Sequence, residues 1–240
     1  MTPRAYWTDT RAPRYAILFA APLFVIYEAS SFLMGSDQVG GVRNGADVLL
    51  RTLLAALGGP RGLALFTVLI AGAGLVLVWR DRRQHPAPLA RGAFAAMLGE
   101  SALWALLLGG ATAVITAVLL DPLLVQAGPI QSLSVPQRIV LSAGAGLYEE
   151  LVFRVMLVGG MAGGGLMLGW SRPTAVIVAI LGSALIFSGF HYVGPYGDPF
   201  QLASFTFRAV AGILLSGLYV ARGFGIAAWS HAIYDVMVLV

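Results

Sequence analysis

The chain has 240 residues, of which 58% are hydrophobic and only 11% charged, with a formal net charge of +4. That balance excludes an ordinary soluble domain, and long apolar runs without strict alternation exclude a β-barrel. Every basic residue is Arg, no basic face is clustered, and Cys is absent, which excludes nucleic-acid binding, a cysteine nucleophile, thiolate ligands and disulfides. The expected fold class is all-α: a polytopic transmembrane bundle of about seven to eight helices.

Residues 1–14 are polar and carry Arg4, Arg11 and Arg14. The apolar run 16–34 is too long for the core of a secretory signal and contains Glu28, so it reads as an uncleaved first span. A Gly-rich connection over 36–46 leads to a short apolar segment, 47–57, with Arg51. At about eleven residues it cannot cross a core of roughly 30 Å, and it reads as interfacial or re-entrant. Spans follow over 62–79 and 94–120, the second with Glu100 near its start; 121–137 is a proline-containing loop or surface helix. A long helix then runs from Arg138 to near Trp170, with a glycine run over 159–165 that suits close helix approach. Three more spans, 174–191, 200–220 and 225–240, complete seven.

With the N-terminus inside and the 47–57 segment not crossing, nine arginines fall inside, from Arg4 to Arg222, and four outside: Arg43, Arg51, Arg61 and Arg138. This satisfies the positive-inside rule. Two regions are distinguished: an N-terminal transmembrane region, 1–137, and a C-terminal region, 138–240, integrated into one membrane domain. A multi-pass protein of a lipid bilayer is expected.

The chemistry concentrates in a few ionisable residues inside apolar sequence, where a charge costs about 2.5–3.5 kcal/mol on insertion scales. Glu149, Glu150 and Arg154 share six residues. At helical spacing Glu150 and Arg154 pair, while Glu149 lies about 100° round from Glu150 and is free for another task. Phe187 and His191 are four apart, as are His231 and Asp235. Depth counting brings Glu149 and His231 to a common mid-membrane level, with His191 at the end of its span. A carboxylate beside a histidine activates water, and a second histidine can donate to a developing oxyanion, which together suffice to hydrolyse a peptide bond.

Glu149-Glu150-x-x-x-Arg154, Phe187-x-x-x-His191 and His231-x-x-x-Asp235 together resemble, in order and spacing, the three motifs of the CPBP intramembrane proteases, the group of type II CAAX prenyl endopeptidases and bacteriocin-processing or immunity proteins. The resemblance covers about residues 138–238. It implies a glutamic-type intramembrane endopeptidase, with Glu149 as general base, His191 assisting it, and His231 and Asp235 at the oxyanion. Glu150 and Arg154 would be supporting partners, and no cofactor or metal is implied. Residues 138–240 would be the catalytic core, acting on a membrane protein or peptide substrate, and a bacterial cell membrane is the expected location. Asp235 departs from the family pattern, which usually has Asn there. An ionised Asp only accepts hydrogen bonds, so it would have to be protonated or to orient His231.

Two rival readings follow from the same residues. Glu149, His191 and His231 would also make a two-nitrogen, one-oxygen zinc set, although no HExxH helix is present. A non-catalytic scaffold or transport protein could use the same buried groups as a proton relay.

Overall fold

The computed structural model describes residues 2–33, 43–58, 60–120, 134–194 and 197–239. These form nine helices and no strand: α1 (Pro3–Asp9), α2 (Pro13–Leu33), α3 (Gly45–Gly58), α4 (Pro60–Gln84), α5 (Arg91–Leu119), α6 (Val135–Met167), α7 (Arg172–Phe190), α8 (Leu202–Arg222) and α9 (Phe224–Leu239). Most of the expected connections over 36–46 and 121–137 lie outside the described residues.

The bundle is apolar outside as well as inside. On α5, Leu103, Leu107, Val114 and Val118 are exposed, whereas Ser101, Thr112 and Thr116 are buried. That inversion suits a lipid solvent: the outer side chains face hydrocarbon, and the polar groups turn into the bundle, where the Ser101 hydroxyl reaches the Ile226 carbonyl. Among the described residues, α5, α6, α7 and α8 are long and apolar enough to cross a membrane, and a fifth counts if the bent α1–α2 pair is one broken span. This is fewer than the seven runs read from the sequence. α4 runs on into the charged stretch Arg80-Asp81-Arg82-Arg83, and α9 has only 16 residues, about 24 Å of helix.

Ion pairs fix how α2, α3 and α4 run. At the start of α2, the Arg14 backbone N–H and guanidinium reach Asp81 at the end of α4, at 3.0 and 3.1 Å. Near the end of α2, Glu28 meets Thr67 of early α4 (2.9 Å) and Arg51 of α3 (2.8 Å). α2 and α4 are therefore antiparallel and share both ends. α3, 14 residues long, sits at the far end without completing a crossing, as its length leads one to expect.

Arg222, fully buried at the end of α8, binds Glu100 of α5 (2.5 and 2.8 Å), the Trp7 carbonyl (2.9 Å) and Thr10 (3.0 Å). Trp7, Thr10, Arg14, Asp81, Glu100 and Arg222 thus gather at one end of the bundle. Gly223 then turns the chain from α8 into α9 at φ +81°, a conformation that favours glycine.

α6 begins with a capping box between Ser134 and Gln137 and a proline in its first turn. From Ala145 to Val158 it winds as a π-helix, with a wider turn than the α-helix expected. The angle between Glu149 and Glu150 is correspondingly smaller than 100°, and both side chains point inward. At Gly146 an added Cβ would lie 2.4 Å from the Ala228 carbonyl oxygen and 2.7 Å from the Ala232 Cβ. Glycine here lets α6 and α9 touch backbone to backbone. Of the glycine run over 159–165, Gly165 packs closely, against Trp170 and Ala175, while Gly160, Gly163 and Gly164 face open space.

Candidate active site

The π-helical part of α6 carries Glu149, Glu150, Phe153 and Arg154, all buried. α7 is held against it by Ser183, whose hydroxyl donates to the Phe153 carbonyl at 2.6 Å. α9 is held by the contact at Gly146. These two packings bring the three motif-bearing segments together.

Glu150 and Arg154 form the expected pair, Arg154 NH1 lying 3.1 Å from Glu150 Oε1, with both side chains fully buried. The guanidinium also lies 4.6 Å over the ring of Phe187. A cation over an aromatic face gains attraction that water cannot supply at this depth. Phe187 is the hub of the site: its ring meets Phe153 at 5.1 Å, His191 at 5.0 Å and His231 at 6.4 Å between centroids. Its role is packing, and it separates the two histidines.

His231 is held by Glu150. Its Nδ1 lies 2.8 Å from Glu150 Oε1, and since a carboxylate accepts, Nδ1–H donates. Nε2 is then aimed between two further carboxylates, Glu149 Oε2 at 3.8 Å and Asp235 Oδ2 at 3.7 Å. Glu150 thus bonds one nitrogen of the His231 ring, while Asp235, one turn on, faces the other.

His191 stands one residue beyond α7, at the mouth of the loop. Its Nδ1 lies 2.9 Å from the Phe187 carbonyl. A carbonyl only accepts, so Nδ1 carries the proton, and in the neutral ring Nε2 presents a lone pair. Burial lowers the imidazole pKa from its ordinary value, against the opposing pull of the Glu149 carboxylate. The loop behind it is fastened twice: the Asp198 N–H donates to the His191 carbonyl at 2.9 Å, and the Asp198 carboxylate binds Arg208 of α8 at 2.5 Å.

The sequence reading missed one neighbour of Glu149. Asn44, immediately before α3, donates from Nδ2 to Glu149 Oε1 at 2.7 Å. Its position ahead of Gly45-Ala46-Asp47 is a helix-start signature, but nothing local points to a partner 105 residues away. Glu28, Asp47 and Arg51 were also read singly. They form one buried network with Tyr27, Thr67 and Tyr148. Among the described residues, no group of three or more His, Asp or Glu side chains is arranged to hold a metal ion.

The arrangement supplies a carboxylate with one oxygen bound and one open, a neutral imidazole with a free lone pair, and a second imidazole ringed by carboxylates. Groups of these kinds can activate water in general acid–base chemistry. The family model described as type II CAAX prenyl endopeptidase Rce1-like matches residues 131–237, a range that contains all three motifs. No curated protein and no solved structure matches the chain.

Proposed function

Residues 131–237 belong to the Rce1-like type II CAAX prenyl endopeptidase family, and from that membership we propose that this integral membrane protease is a glutamic endopeptidase that cleaves a membrane-associated protein or peptide with water activated by Glu149 and His191. A bacterial cell membrane is the location this reading favours, from the resemblance to bacteriocin-processing members.

The observation that carries the mechanism is the pair of opposed environments at Glu149 and His231. Glu149 Oε1 is taken by Asn44, and Oε2 lies open, 3.8 Å from His231 Nε2. In the proposed reaction a water molecule gives its proton to Glu149 while its oxygen bonds to the scissile carbonyl carbon. The carbonyl electron pair moves onto its oxygen. The Nε2 lone pair of His191 accepts a hydrogen bond from the same water and orients it. Collapse of the tetrahedral intermediate breaks the C–N bond, and Glu149 returns its proton to the leaving amine.

His231 would stabilise the oxyanion through Nε2–H. Its Nδ1–H is committed to Glu150, so this requires the doubly protonated ring. Glu150 fixes that ring, and Arg154 balances the charge of Glu150 at the same oxygen. Asp235 would border the oxyanion as a protonated acid, since an ionised carboxylate there would repel it.

The decisive test against a zinc mechanism is cleavage of a membrane peptide library by the purified protein, with and without a strong chelator. Undiminished cleavage with chelator, together with its loss in His191→Ala, is the expected outcome. Chelator-sensitive cleavage would replace this reading with a metalloprotease.

A further inference from the structure

The direct amide contact to Glu149 comes from outside the family-matched range. Asn44 is 7% exposed, and its side chain is held at both ends. Oδ1 accepts from the Ala46 backbone N–H at 2.9 Å, capping α3, and this leaves Nδ2 to face Glu149. The amide orientation is therefore set by the cap.

The cap is in turn tied back to the catalytic helix. The Asn44 backbone N–H donates to the Tyr27 hydroxyl at 3.1 Å, and Tyr27 donates to Asp47 at 3.0 Å. Asp47 is bound by Arg51 at 2.6 Å, Arg51 by Glu28 at 2.8 Å, and Glu28 accepts from the Tyr148 hydroxyl at 2.5 Å. Tyr148 is the residue before Glu149, so the bonds close a ring through both elements. At Gly45 a Cβ would lie 3.0 Å from the Phe190 ring, so the start of α3 is also pressed against the end of α7, beside His191.

We infer that Asn44 is the positioning residue for the general base. It holds Glu149 Oε1 so that Oε2, the oxygen facing His231, receives the proton of water. This rests on the reading of Glu149 as that base. The charged and titratable groups around Glu149 are Glu150 and Arg154 on its own helix, His191 beyond α7, and His231 and Asp235 on α9. Asn44 supplies the direct neutral donor.

The test uses Asn44→Ser and Asn44→Asp in the full chain. Both keep an oxygen able to cap α3; Asp carries no amide donor, and Ser replaces the amide N–H with a shorter hydroxyl. The first readout needs no substrate: the carboxylate stretching band of Glu149 in infrared spectra, identified as the band missing from Glu149→Gln, is expected to shift in frequency when the amide donor is lost. The second readout is cleavage of the best library peptide. The expected result is a fall in kcat of about tenfold or more with KM little changed, the size of one hydrogen bond to a charged group. A band at the wild-type frequency in a folded Asn44→Asp protein overturns the assignment. Cleavage retained by Glu149→Gln overturns the reading beneath it, whatever the band does.

Discussion

Asp235 lies 3.7 Å from the same ring nitrogen of His231 that the proposed oxyanion would use, and its side chain is mostly buried. An amide at this position donates, whereas a carboxylate donates only when protonated. Asp235→Asn is therefore expected to retain or raise kcat, and to widen the pH range of activity at its upper end. A fall of tenfold or more in kcat would mean that the charge of Asp235 is itself used. Arg154 makes the complementary point. Its buried guanidinium lies beside one carboxylate oxygen and over one aromatic face, while its nitrogens make no hydrogen bond among the described residues. The motif arginine thus holds Glu150, Glu150 holds His231, and the ionisable residues form a chain of orientation rather than a set of independent groups.

Between elements, two contacts carry the account. Gly146 lets α9 approach α6 closely enough for His231 to reach Glu150. Gly146→Ala would press a methyl group against the Ala228 carbonyl and is expected to destabilise the fold by about 1–3 kcal/mol and to depress activity, measured by thermal unfolding and peptide cleavage. At the opposite end, burial of Asp81 works against its charge, but the Arg14 backbone N–H and guanidinium outweigh it and hold the carboxyl below the ordinary aspartate range. A depressed folded-state pKa gives stability that is present above the unfolded value, near pH 4, and is lost as pH falls through the lower folded value. The difference in Tm between wild type and Asp81→Asn should accordingly be full at neutral pH and close on strong acidification; a difference independent of pH would show that the carboxylate charge is not what joins α2 to α4.

At the scale of the molecule, the legible features were those that hydropathy penalises. Glu149, Glu150, Arg154, His191, His231 and Asp235 stood out because ionisable groups are costly in apolar sequence. The short segment containing Arg51 was legible by length alone. The π-helical winding from Ala145 was not, because the same apolar residues suit an α-helix until packing against α7 and α9 selects the wider turn. Seven apolar runs stand in the sequence, whereas among the described residues four helices, or five with the bent α1–α2 pair, are long and apolar enough to cross. Asn44 was hidden for a different reason: a single amide in a polar connection gains meaning only through a contact made by the tertiary fold. The N-terminal helices therefore contribute a hydrogen bond to Glu149 as well as a lipid-facing wall.

The central claim is that Glu149 takes the proton from water. Its most direct test is the single-turnover cleavage rate of a library-selected membrane peptide by purified wild type and by Glu149→Gln, which preserves shape and an acceptor for Asn44 but removes the base. The account predicts a loss of about 10²–10⁴-fold in the variant with peptide binding unchanged. Cleavage by Glu149→Gln within a few-fold of wild type would contradict it.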